Sequence, residues 1–173
     1  MTATGSLTEV KFEATGNDDS LGGYLDNVNV VLSACPEGYE IDGDTCVLSN
    51  QDPVCDATSS VTTLWSPNHK MVSISLVGGS DPDGDSLTTT VTGVTQDEPT
   101  NGLGDGDKSP DATLSPLQVR SERSGTGDGR VYVISYTLDD GNGGSCDGSV
   151  TIGVPHSVKK PVVDSIVRFD STS

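Results

Sequence analysis

The sequence predicts an all-β protein whose main body is a β-sandwich, and three observations carry that reading. Asp outnumbers Glu 20 to 6, and Glu favours helices whereas Asp favours turns, caps and hard-cation sites. The 173 residues include 21 Gly and 9 Pro, which leaves little room for a long helix. The apolar residues, 32% of the chain, gather in short β-branched runs bounded by Gly, Pro, Asn and Asp. That is the pattern of strands joined by turns around a thin but real core.

Two strands are expected first, over 7–14 and 24–32, joined by a loop of turn formers. A lone hairpin is marginal in water, so Leu7, Val10, Phe12, Leu25, Val28 and Val30 are assigned to assembly. They are expected to complete a sheet of a neighbouring copy, and head-to-tail strand pairing that does not close by rotation builds a homopolymeric filament. Packing on the chain's own sandwich is the alternative. The stretch Leu25-Asp26-Asn27-Val28-Asn29-Val30 resembles the final strand of jelly-roll modules in bacterial secreted proteins. The resemblance implies that the remaining jelly-roll strands lie outside this sequence or come from a neighbour. Met1-Thr2-Ala3-Thr4-Gly5 is not followed by the basic and apolar regions of a signal peptide, so any export signal is expected to lie outside this sequence.

Residues 34–50 read as a cysteine-bounded loop and a linker. The four cysteines, Cys35, Cys46, Cys55 and Cys146, include no Cys-x-x-Cys pair, and the chain has only two histidines, so tetrahedral zinc is not expected. An even count in an acidic chain rich in Gly, Ser and Thr points to two disulfides formed in an oxidising compartment, hence a secreted or cell-surface protein. Of three possible pairings, Cys35–Cys46 with Cys55–Cys146 is favoured, because 35–46 is a turn-rich loop that closes on itself. Free buried thiols are the alternative.

Residues 51–156 read as one domain with strands over 61–65, 70–77, 86–95, 114–121, 130–138 and 147–154, a spacing that suits a sandwich of about seven strands. Alternation puts Val72, Ile74 and Leu76 on one face, Tyr132, Ile134, Tyr136 and Leu138 on a second, and Val150, Ile152 and Val154 on a third. The tail, 157–173, has an apolar run without a clean period and is expected to be an edge strand or a linker.

The succession Leu64-Trp65-Ser-Pro-Asn-His-Lys-Met-Val72, Ser80-Asp-Pro-Asp-Gly-Asp85, Thr95-Gln-Asp-Glu-Pro-Thr-Asn-Gly-Leu-Gly-Asp-Gly-Asp107, Gly125-Thr-Gly-Asp-Gly-Arg-Val-Tyr132 and Gly143-Gly-Ser-Cys-Asp-Gly148 is similar to an immunoglobulin-like module of large bacterial secreted and surface proteins. Ser66 departs from it where a second proline would stand. The resemblance implies an Ig-like sandwich and an extracellular setting, and it brings no catalytic chemistry.

Charge and motifs narrow the function. A net charge of −17 and a pI near 4.1 make nucleic acid and anionic membranes poor partners, and no apolar run approaches the ~20 residues of a membrane-spanning helix. Asp81, Asp83 and Asp85 alternate within a tight turn, so their oxygens can converge on Ca²⁺. Ser86 stands where an EF-hand needs glycine, and a solvated acidic turn is the alternative. Asp105, Asp107 and Asp111 form a second candidate calcium site in a glycine-rich stretch, where backbone carbonyls can join the carboxylates. Gly84-Asp85-Ser86-Leu87 spells a serine-hydrolase block but lacks its strand-to-helix context and its paired His. Trp65, the single tryptophan, is expected in the core or beside a disulfide; the other aromatics are too few for a row of sugar platforms. The resulting expectation is a non-enzymatic extracellular module stiffened by calcium, acting in a fibre, stalk or adhesin. The alternative is a carbohydrate-binding module of a larger secreted enzyme.

Overall fold

The computed structural model describes residues 34–43, 45–102, 104, 106 and 108–173. The expected strands over 7–14 and 24–32, the six assembly residues Leu7, Val10, Phe12, Leu25, Val28 and Val30, and the candidate ligands Asp105 and Asp107 lie outside the described residues. The chain divides into two units, 1–49 and 50–173.

In the first unit β1 (Tyr39–Asp42) and β2 (Thr45–Leu48) form an antiparallel hairpin with Ile41 opposite Cys46. Ile41 and Leu48 are exposed, so burial contributes little. A disulfide between Cys35 and Cys46, S–S 2.11 Å, closes the hairpin, and the Ser49 N–H donates to Gly38 O at 2.9 Å.

The second unit contains β3 (Thr58–Ser59), β4 (Met71–Ser73), β5 (Leu76–Val77), β6 (Thr88–Gln96), β7 (Ala112–Leu114), β8 (Leu117–Arg120), β9 (Gly129–Asp139), β10 (Ser145–Pro155) and β11 (Phe169–Asp170). One sheet has the order β10-β9-β6-β11, another β4-β8-β7, and β3 pairs with β5, every pair antiparallel. The described residues include no helix, and so none long and apolar enough to cross a membrane. The core follows the alternation of the two longest strands. Tyr132, Ile134, Tyr136 and Leu138 of β9 and Val150, Ile152 and Val154 of β10 are buried against Val94, Ala112, Val119, Ile74 and Leu64. A second disulfide, Cys55–Cys146 with S–S 2.08 Å, ties the stretch before β3 to β10.

The expected loop 34–50 contains the β1–β2 hairpin, and the expected strand 114–121 is divided between the end of β7 and β8; three further segments depart from the sequence expectation. The run 70–77 is two strands, because the chain changes partners within it: β4 pairs with β8 and β5 with β3. Buried Ile74 sits at the crossover, its N–H bound to Leu117 O at 3.0 Å. The run 61–65 makes only an isolated parallel bridge, Thr63 to Gly153, with the Leu64 N–H donating to Gly153 O at 2.9 Å and the Gly153 N–H to Thr62 O at 3.0 Å. That pairing turns Leu64 inward, and Trp65 next to it is 51% exposed rather than in the core or beside the disulfide. In the tail, only Phe169–Asp170 is strand, paired with Gln96 and Thr95. Beyond it Ser171 joins both sheets: its N–H donates to Val94 O, and its carbonyl accepts from Asp111 N–H and Ala112 N–H at 2.9 and 2.7 Å.

Candidate cation site and the buried ion network

The turn after Ser80 builds the acidic site. Ser80 is held by an antiparallel bridge to Val54, and Gly84 turns the chain with φ +85°, a left-handed conformation that glycine adopts without steric cost. Asp81 organises the loop from within: its Oδ1 accepts the N–H of Asp83 at 2.8 Å and that of Asp85 at 3.2 Å. The result brings one carboxylate oxygen from each of Asp81, Asp83 and Asp85 within 4.8 Å of the others. Neighbours steady the outer two. Gln51 donates its backbone N–H and its Nε2 to Asp83 at 2.7 and 3.0 Å, and Asn142, from the β9–β10 turn, donates Nδ2 to Asp85 Oδ2 at 2.8 Å. The Asp81 Oδ2 atom is buried and has no hydrogen-bond partner among the described residues. Like charges at such spacing repel by between about 1 kcal/mol in water and about 3 kcal/mol at a protein surface. An oxygen-only donor set with one spare buried lone pair fits a hard divalent cation of Ca²⁺ type.

Asp111, assigned from the sequence to a second calcium site, is fully buried and saturated by other partners. Its Oδ1 takes Arg120 Nε at 3.3 Å, and its Oδ2 takes Arg130 Nη1 and Gln96 Nε2, each at 2.8 Å. Two arginines beside one carboxylate leave little negative charge for a metal. Asp97 and Glu98 join the same region: Asp97 Oδ1 accepts the Val131 N–H at 2.8 Å, and Glu98 Oε2 accepts Arg130 Nε at 3.1 Å and the Ser124 N–H at 2.7 Å. Glu122 is fully buried, with Oε2 2.8 Å from His69 Nδ1 and Oε1 3.9 Å from Arg130 Nη1. Burial pushes the Glu122 carboxyl above the ordinary Glu range, the hydrogen bond to His69 works the other way, and Asp111 adds to the rise.

Sequence reasoning missed this network, although one signal for it was present. Arg130 keeps the same parity as Tyr132, Ile134, Tyr136 and Leu138, so the alternation that points those side chains inward points the guanidinium inward too. Residues of opposite sign must then follow it into the interior.

No curated protein and no solved structure matches the chain. A family model, described as the bacterial Ig domain, matches residues 50–153, more than half of the chain. The match runs from the start of the second unit to Gly153 near the end of β10, taking in β3 to β9, most of β10, the Cys55–Cys146 disulfide and the acidic turn, and leaving out β11. The chain belongs to the bacterial Ig domain family.

Proposed function

We propose that the protein is a non-enzymatic structural module working outside the cell, with calcium held by Asp81, Asp83 and Asp85, and that it serves as a subunit of a surface fibre or as a stalk or adhesin segment. The observation that carries the reading is the approach of one carboxylate oxygen from each of Asp81, Asp83 and Asp85 to within 4.8 Å of the others, beside a buried Asp81 Oδ2 with no hydrogen-bond partner among the described residues. The acidic turn lies where Val54, Gln51 and Asn142 meet. A cation there would pin the N-terminal stretch of the unit and the β9–β10 turn to one point, which suits a module that bears load. Two disulfides and membership of the bacterial Ig domain family support an oxidising, extracellular setting.

The fibre part of the reading rests on the apolar strands that the sequence leads us to expect over 7–14 and 24–32. Sedimentation of the full chain at high concentration with calcium should give polymers, and the same chain lacking residues 1–33 should sediment as a folded monomer. A full chain that remains monomeric would remove the fibre and leave the stalk or adhesin.

A further inference from the structure

The exposed indole of Trp65 does not stand alone on the surface. It lines a cleft of about 520 Å³ together with the segment 158–162. Sites for small ligands occupy roughly 300–1,000 Å³. Both parts of the lining meet at Gly153. The Thr62 to Leu64 stretch is hydrogen-bonded along Gly153, and Val162 lies so close to Gly153 that a Cβ on that glycine would sit 2.7 Å from the Val162 Cγ2. Glycine is therefore required at the floor, and any side chain there would push Val162 away.

The chemistry of the lining differs from the rest of the molecule. The chain carries 26 acidic residues, yet none of the described residues lining the cleft is acidic, and two of them are the adjacent lysines Lys159 and Lys160. Thr62, Thr63 and Thr151 contribute hydroxyls. A flat indole face, several hydroxyls and two ammonium groups together match a ring with an apolar face, many hydroxyls and a negative charge.

We propose that this cleft binds an acidic glycan. Trp65 stacks on the apolar face of a pyranose, Lys159 and Lys160 hold its carboxylate or sulfate, and the threonines bond its hydroxyls. A nucleic acid fits less well, because its dense phosphate charge would meet the −17 of the whole chain, whereas a glycan can bring a single charge to the cleft. The proposal goes beyond the structural reading and does not depend on calcium or on assembly.

Trp65 is the only tryptophan in the chain, so its fluorescence reports the cleft directly. Titration of the full chain should use three probes of low charge: a glycan with a single uronate, a glycan with a single sulfate and a neutral cello-oligosaccharide. The expected result is a saturable change with at least one acidic probe, weakening as salt rises, and whichever acidic probe binds identifies the anionic group. Two exposed ion pairs are worth about two- to thirtyfold in affinity. The Lys159→Gln, Lys160→Gln double variant should lose that factor with an unchanged melting temperature, and the neutral probe should be weaker by as much. No saturable change with either acidic probe would overturn the proposal, as would equal affinity for the neutral probe or unimpaired binding by the double variant.

Discussion

Glu122 is a carboxylate the fold has taken fully out of water, and among the described residues its carboxylate is hydrogen-bonded to the half-exposed ring of His69. Burial raises its pKa above 4.5, against the pull of His69, so the folded state holds the Glu122 proton more tightly than the unfolded chain does. The sign follows from linkage: this group favours folding most below pH 4.5, and its contribution falls as pH rises through the folded value. Glu122→Gln keeps the shape and removes the titration. Its stability relative to the natural protein should therefore rise as pH climbs from about 4.5 toward neutral, measured by urea unfolding across that range. A variant that instead loses ground as pH rises would show that the His69 and Arg130 contacts outweigh the desolvation. Asp111 and Arg130 differ from Glu122, being matched at 2.8 Å on the buried side. Breaking such a pair by removing one partner costs about 3–5 kcal/mol.

At the scale of elements, the two disulfides act on different lengths of chain. Cys55–Cys146 spans 91 residues and Cys35–Cys46 spans 11. In the chain-entropy account the longer loop is worth on the order of 4 kcal/mol, and the shorter one under about 3 kcal/mol. Replacing Cys55 and Cys146 by Ala should lower the unfolding midpoint of the sandwich by that larger amount, and replacing Cys35 and Cys46 should leave the sandwich transition in place. Non-reducing peptide mapping gives the direct check on connectivity. Strands β9 and β10 were legible in the sequence because apolar residues alternate along them, from Tyr132 to Leu138 and from Val150 to Val154, and β6 because turn formers bound its β-branched run. The 61–65 run was not, because its apolar residues pair through a single bridge to Gly153, and burial of Leu64 alone decides that Trp65 faces out. The Asp81, Asp83, Asp85 cluster was legible because its members lie within one turn. The Arg130 network joins residues from β6, β9 and the β6–β7 loop, such as Asp111 and Arg130, 19 positions apart; the parity of Arg130 in β9 points it inward, but no local spacing announces which carboxylates meet it.

For the whole molecule, charge and fold pull in opposite directions. A chain of net charge −17 repels itself when compact, and the second unit answers by burying two arginines' worth of pairing on one side and gathering three carboxylates in a turn on the other. The first arrangement carries its own counter-charge, and the second calls for one from solution. A cation that binds the folded state alone stabilises it by about 2.7 kcal/mol at a hundredfold excess over its dissociation constant, or about 10 °C for a unit of this size. The measurement that bears most directly on the account is thus the thermal melt of the full chain in excess Ca²⁺ and again in chelator, beside the Asp81→Asn, Asp83→Asn variant. The natural protein should melt about 10 °C higher with calcium, and the variant should show no calcium shift. Identical melts with calcium and chelator, or a shift that survives in the variant, would contradict it.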